Sequence, residues 1–92
     1  MALYLISYDL DKPEQNYSGL LGRLRELGAQ RFLYSEWFLI NAANAQQIRD
    51  DLMRFIDNND RILVAEIKNH AAWNNLMLSN DTTLAFFNNA TG

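Results

Sequence analysis

The first strand of this chain is set by an almost unbroken apolar run at its start. Residues 2–8 read Ala-Leu-Tyr-Leu-Ile-Ser-Tyr, and the polar loop 11–16 follows soon after Asp9. A short apolar run bounded by turn residues is typical of a buried strand. Neither alternating face, Leu3 with Leu5 or Tyr4 with Ile6, is polar enough to face water over its full length. Both faces of this strand therefore need a cover.

The composition describes one small globular domain. The chain has 92 residues, of which 49% are hydrophobic and 21% charged, and it has no cysteine. This balance excludes a disordered chain, and the lack of cysteine excludes a disulfide framework and thiolate metal sites. We find no signal-peptide pattern and no apolar run of membrane-spanning length, so we expect a cytoplasmic protein without a membrane partner.

Periodicity along residues 1–68 predicts strands alternating with two amphipathic helices. Tyr17, Leu20, Leu21, Leu24 and Leu27 recur at helical spacing before Gly28, as do Ala45, Ile48, Leu52, Phe55 and Ile56 further on. The aromatic segment 30–40 is either two short strands with a tight turn near 35–36 or one bent strand. The predicted elements are strand 2–8, helix 16–27, strand or strands 30–40, helix 45–56 and strand 61–67.

The order strand, helix, strand, strand, helix, strand favours an α+β fold. Two strand–helix–strand units with right-handed crossovers give a ferredoxin-like βαββαβ sandwich, an antiparallel sheet with two helices on one face. The second sheet face is then exposed or buried against a partner. Because the first strand is apolar on both faces, this arrangement favours a homodimer through the open face.

Residues 69–92 differ in character from the rest and read as a C-terminal extension. They contain six asparagines, no lysine or arginine, and one acid, Asp81. A short helix over 70–77 anchored by Trp73, and a short strand over 83–87 on an edge or on a dimer partner, are the elements we expect here. The last residues resemble a frayed terminus.

The predicted topology brings several polar residues to one edge of the sheet. The first strand is antiparallel to both neighbours, so its carboxyl end meets the turn after the second strand and the start of the fourth. Oxygen ligands at this edge could bind a hard divalent cation, although aspartate is also an ordinary turn residue. The edge residues are Asp9, Asp11, Ser35, Glu36, Asp60 and Arg61.

Asp9 is the residue of this edge best placed for catalysis. Magnesium is usually held by one or two carboxylates plus substrate phosphates. A twofold axis near the end of the first strand would bring Asp9 of two protomers into one cleft, where a metal could polarise a phosphodiester and activate water.

Other functional signals are weaker. His70 has no serine or cysteine partner at a recognisable spacing, so a nucleophilic triad is not expected. The aromatic side chains of 32–38 could stack on bases or form core and interface. The net charge of −3 argues against tight, sequence-blind nucleic-acid binding.

Three segments carry a resemblance to a known family. Residues 5–10, Leu-Ile-Ser-Tyr-Asp-Leu, resemble the first strand of the small CRISPR-associated nucleases of the spacer-adaptation complex. Residues 28–35, with Arg31, Ser35 and then Trp37, are similar to that family's Gly-x-x-Arg-x-Gln-x-Ser segment, and residues 60–64 resemble its acidic start to the fourth strand. The resemblance covers about residues 2–67, and the virulence-associated protein D ribonucleases share the plan.

The resemblance implies a ferredoxin-like homodimer with a magnesium-dependent phosphodiesterase site at paired Asp9, which is the metal ligand and catalytic residue. It implies nucleic-acid-binding roles for Arg31, Ser35 and Trp37, with RNA or DNA as the substrate. Two alternatives stay open. One is a non-catalytic homodimeric adaptor or scaffold of the same fold, which the acidic charge favours. The other is a toxin-like ribonuclease.

Overall fold

A computed structural model describes residues 1–11, 17–68 and 71–89. The polypeptide forms four strands and three helices in the order expected, with one additional helix at its end. The elements are β1 (Ala2–Asp9), α1 (Ser18–Glu26), β2 (Gln30–Leu33), β3 (Glu36–Asn41), α2 (Ala45–Met53), β4 (Arg61–Ile67) and α3 (Asn80–Asn89).

The four strands form one antiparallel sheet in the order β2-β3-β1-β4. The segment predicted as two short strands or one bent strand is two strands, joined by a turn at Tyr34–Ser35. β1 pairs with β3 on one side and with β4 on the other, and Asp9 lies opposite Arg61 in the register. The structure thus confirms the ferredoxin-like α+β sandwich.

One face of the sheet is covered by α1 and α2. Leu20 and Leu24 of α1 and Ile48 and Leu52 of α2 are almost fully buried. They form one core with inward side chains of β1 and β3: Tyr4, Ile6, Tyr8, Trp37 and Leu39. The predicted inward faces of both helices are therefore confirmed.

The helix boundaries follow local chemistry. α1 is followed by Gly28, whose φ of 86° is costly for residues with a side chain. α2 begins after Asn44, which exchanges hydrogen bonds with Gln47 in a capping box, and it ends at Met53, earlier than predicted. The predicted start of the first helix, Asn16, lies outside the described residues.

In the part of the chain that is described, no helix has both the length and the apolar character required to cross a bilayer.

The second face of the sheet is partly covered by the chain itself. Phe86 of α3 packs on Phe38 of β3 with ring centroids 5.5 Å apart, and Phe38 also stacks on Phe32 at 3.9 Å. Leu3 completes this second core. The expectation that this face is either open or covered by a partner was wrong for this region, because α3 provides an intramolecular cover.

The two secondary-structure predictions for the C-terminal extension were also wrong. Residues 83–87 belong to a helix and not to a strand, because Thr83 and Phe86 fall on one helical face and both are buried. Residues 71–79 form no helix, and the predicted residues 69–70 lie outside the described part. Trp73 is an anchor all the same: its ring stacks on Phe87, and its Nε1–H donates to Asn80.

An ion-pair cluster joins α1 to α2. Arg23 and Arg54 both bind the carboxylate of Asp51, at 2.7 and 2.6 Å. Hydrogen bonding from Arg23 is the main reason why the pKa of Asp51 falls to about 2, and Arg54 lowers that pKa further while burial opposes the shift. Arg23 and Asp51 therefore connect the two helices although both side chains stay partly exposed.

We predict that Phe86→Ala lowers the free energy of unfolding by about 3 kcal/mol, the loss typical of removing a buried phenyl ring. Leu84→Ala in the same helix is the control, because Leu84 is 46% exposed and should cost well under half as much. Urea denaturation followed by circular dichroism measures both. Equal effects of the two changes would contradict the packing of α3 on the sheet.

We predict that Asp51 makes the free energy of unfolding decrease as the pH falls. Because its folded pKa of about 2 lies below its unfolded value of roughly 3.9, its contribution is complete above that unfolded value and is lost as pH falls toward 2. Asp51→Asn should cost about 1 kcal/mol at pH 7, since the arginines remain partly solvated, and much less at pH 2. Asp50→Asn is the control because Asp50 is more exposed. Urea midpoints that fall in parallel for wild type and Asp51→Asn from pH 7 to pH 2 would refute the assignment.

Candidate functional site

Asp9 lies at the carboxyl end of the central strand and faces solvent. Its carboxylate accepts a hydrogen bond from Arg61 Nη1 at 3.2 Å, across the β1–β4 pairing. The two side chains are 74% and 82% exposed, so the pair contributes little to stability. Asp9 can therefore exchange Arg61 for another ligand at low cost.

Asp60 has a different role at the same edge. It is only 7% exposed, and its Oδ1 accepts hydrogen bonds from the Asp11 backbone N–H and the Tyr17 hydroxyl. Its Oδ2 accepts a further bond from the Asp57 backbone N–H. The carboxylate thus connects the turn before β4 to the loop after β1. This bonding fixes the local backbone around Asp9.

The edge carboxylates do not converge into a multidentate metal site within one chain. Over residues 1–11, 17–68 and 71–89, no group of three or more His, Cys, Asp or Glu side chains is arranged to bind a metal ion. The predicted oxygen cluster at this edge is therefore not formed by the described residues of one chain, which leaves Asp9 as an exposed carboxylate beside a pocket.

An open pocket of about 360 Å³ adjoins Asp9. It lies between the end of β1, the start of α1 and the β2–β3 turn. A volume of this order is at the lower end of small-ligand sites. The pocket combines one acidic and one basic side chain with three phenol rings. Its lining residues are Tyr8, Asp9, Leu10, Tyr17, Leu21, Arg31 and Tyr34.

Arg31 supplies the positive charge of this pocket. Its guanidinium carbon lies 5.0 Å from the centroid of the Trp37 ring and 5.8 Å from that of Tyr34. Its Nε is buried without a hydrogen-bond partner, and it is the one such side-chain atom found in the described residues. A buried donor without a partner is costly, so other contacts must hold the Arg31 side chain in place, among them its contact with the Trp37 ring.

Trp37 fixes the floor beneath Arg31. It is 2% exposed, and its Nε1–H donates to the Tyr8 hydroxyl at 3.0 Å. Trp37 is directly opposite Arg31 in the β2–β3 pairing. Ser35 contributes through its backbone, since its carbonyl accepts the Tyr8 N–H. The same two strands therefore position the aromatic floor, the cation and the tyrosine.

Three of the four predicted site residues come together. Asp9 and Arg31 line the same pocket, and Trp37 lies in cation–π contact with Arg31. Ser35 occupies the turn beside them. Trp37 serves as a buried support and not as an exposed stacking surface.

Sequence reasoning missed the tyrosines that complete the pocket. Tyr8 was assigned correctly to a face of the first strand, whereas Tyr17, assigned to the first helix, is the residue that precedes α1. Their hydroxyls bond to Trp37 and Asp60, respectively, which no spacing in the sequence indicates. Tyr34 was considered as a possible base-stacking residue, and its 84% exposure leaves it available for such a contact. The signal that could have found Tyr8 is its position next to Asp9 on the inward face of β1.

In comparisons with known proteins, no protein-family model matches this chain and no solved structure matches it significantly.

We predict that Tyr8→Phe lowers the free energy of unfolding by about 1–3 kcal/mol, because the buried Trp37 Nε1–H then loses its acceptor. Tyr34→Phe removes the same atom from an exposed ring and should change stability by less than about 0.5 kcal/mol. Thermal and urea unfolding of the two variants provide the comparison. If Tyr8→Phe proved as harmless as Tyr34→Phe, the Tyr8–Trp37 hydrogen bond would not support the site.

Proposed function

We propose that the Asp9–Arg31 pocket binds a nucleic-acid phosphodiester and that the protein is a magnesium-dependent endonuclease. The observation that carries the proposal is the placement of an exposed carboxylate, Asp9, and a guanidinium, Arg31, on one pocket. Arginine is well suited to phosphate oxygens, and a carboxylate is a ligand of Mg²⁺. The sequence resemblance to small CRISPR-associated nucleases supports the same chemistry.

Each pocket residue has a defined part in this proposal. Arg31 binds a non-bridging phosphate oxygen through its guanidinium, while Trp37 keeps the arginine side chain in place from below. Tyr34 offers an exposed ring on which a neighbouring base can stack. Asp9 provides a metal ligand, and Ser35 fixes the turn that carries Tyr34.

The single carboxylate of Asp9 is the smallest set of protein ligands typical of a magnesium site. Magnesium retains several waters and needs only one or two carboxylates in addition to substrate phosphate. When bound, it would polarise the phosphodiester and lower the pKa of a coordinated water. One protomer supplies Asp9 alone, so we propose that a second protomer supplies a second Asp9.

The second sheet face supports a homodimer near Asp9. α3 packs over Phe32 and Phe38, while Leu63 of β4 is 55% exposed. Leu63 pairs with Ser7 of β1, two residues before Asp9. Contact between two copies at this uncovered end would bury Leu63 and bring the two Asp9 carboxylates closer together.

A non-catalytic adaptor of the same fold is the second candidate. The observation that favours it is the Asp9–Arg61 ion pair, which occupies the carboxylate, together with the lack of a multidentate acidic cluster in the described part of one chain. In this case, the pocket binds a strand without cutting it. A toxin-like ribonuclease uses the same site and differs in biological role.

The test is cleavage of labelled single-stranded RNA and duplex DNA with magnesium or with chelator. We expect magnesium-dependent cutting by wild type and a loss on the order of 100-fold or more in Asp9→Asn, since a metal ligand matters at least as much as its supporting shell. Asp81→Asn in α3 is the charge-matched control and should cut like wild type. Sedimentation shows whether the variants have the same oligomeric state as wild type, and circular dichroism shows whether they fold.

The alternatives predict different results. Cutting by Asp9→Asn at the wild-type rate would refute the assigned metal ligand. Strand binding without cutting by a well-folded wild-type protein would support the adaptor instead.

A further inference from the structure

A second cleft shares Arg31 with the Asp9 pocket. It has a volume of about 250 Å³ and is open to solvent. Arg31 lines both this cleft and the Asp9 pocket, and Trp37 forms part of the cleft wall. The lining residues are Arg25, Ala29, Gln30, Arg31, Trp37 and Leu78.

Arg25 brings a second cation to the same tryptophan. Its guanidinium carbon lies 5.8 Å from the Trp37 ring centroid, compared with 5.0 Å for Arg31. Arg25 comes from the last turn of α1 and Arg31 from β2, so two different elements converge on one ring. Arg25 could balance the negative end of the α1 dipole from any position in the last turn, so that role alone does not explain its contact with Trp37.

These two arginines differ from the other basic residues of the described chain. Each of the others has a carboxylate within 4 Å: Arg23, Arg49, Arg54, Arg61 and Lys68. Within residues 1–11, 17–68 and 71–89, no such pairing is found for Arg25 or Arg31. In a chain of net charge −3, the two unpaired cations therefore adjoin a single cleft.

We infer that Arg25, Trp37 and Arg31 form a second phosphate subsite beside the Asp9 pocket. This inference rests on the proposed function, and it deepens that function by setting the path of the strand. One phosphate binds to Arg31 in the Asp9 pocket, and a neighbouring phosphate binds against Arg25. The strand thus runs from the β2–β3 turn across β2 toward the end of α1.

The geometry of the subsite favours a single strand. The cleft is open and shallow, and it lies near the exposed ring of Tyr34, which contacts Arg31. A flexible strand can follow such a surface and place bases on exposed rings such as Tyr34. Two cations on an acidic protein give only a small counterion-release term, which is insufficient for tight sequence-blind binding to a duplex.

The experiment measures binding without cutting. Fluorescein-labelled single-stranded RNA, single-stranded DNA of the same sequence and the corresponding duplex are titrated in chelator by fluorescence anisotropy at several salt concentrations. For single strands, each phosphate contact contributes about 0.7 to the slope of log K against log salt. Wild type, Arg25→Gln, Arg31→Gln and Arg49→Gln are compared, and Arg49 serves as the control because it is paired with Asp50 on α2.

We expect Arg25→Gln and Arg31→Gln each to reduce the salt slope by about 0.7, with Arg49→Gln unchanged and the duplex bound more weakly than either strand. Whether RNA or DNA binds more tightly identifies the strand. Arg25 is exposed, so Arg25→Gln keeps the test decisive even if Arg31→Gln fails to fold.

The two proposals fail in different ways. Wild-type cutting with an unchanged slope in Arg25→Gln would overturn the second subsite and leave the nuclease intact. A reduced slope without any magnesium-dependent cutting would support the subsite and overturn the nuclease. Preference for the duplex would overturn the single-strand path, and no binding of any nucleic acid in chelator would overturn the second subsite, while the cleavage assay with magnesium decides the nuclease separately.

Discussion

The burial of both faces of β1 is the constraint on which the rest of the structure depends. Its side chains alternate between two separate cores, with Tyr4 and Ile6 in one and Leu3 in the other. A central strand of this kind requires a layer on each side of the sheet. The chain supplies α1 and α2 on one face and uses its C-terminal segment for part of the other. The extra helix is thus a consequence of the apolar run at the start.

This double cover also determines where chemistry can occur. Asp9 projects at the end of β1, where the cores stop and the backbone is fixed by buried Asp60. Next to Asp9, Tyr8 is buried and its hydroxyl accepts a hydrogen bond from buried Trp37, so these two side chains give the pocket a rigid base. Arg31 lies against the Trp37 ring and lines the Asp9 pocket. Rigid support below and solvent above are the conditions under which a charged side chain can bind a ligand with little reorganisation.

Much of the fold could be predicted from the sequence because the signals were local. The apolar spacing of α1 and α2, Gly28 and the aromatic strands are each recognisable within a short window of sequence. The C-terminal helix could not be predicted in this way, since Phe86 and Phe87 in a polar, asparagine-rich segment give a weak periodic signal. Its helical form depends on contacts with Phe38 and Trp73, which are distant in sequence. Tertiary packing thus outweighed local preference.

The candidate site shows the same division between local and long-range information. Asp9 was recognisable from its strand position and Arg31 from the family resemblance, but the sequence alone could not show that the Arg31 guanidinium would lie against Trp37. Arg25 lies in the last turn of α1 and Arg31 in β2, and only the folded structure brings both to the Trp37 ring. Because attraction between a cation and a ring is strengthened where water is excluded, this buried tryptophan favours guanidinium groups beside it even where the described residues supply no carboxylate. Both arginines also line one cleft, so an anion bound there would be attracted by two positive charges. The arrangement is thus better matched to a phosphate-bearing ligand than to the free protein.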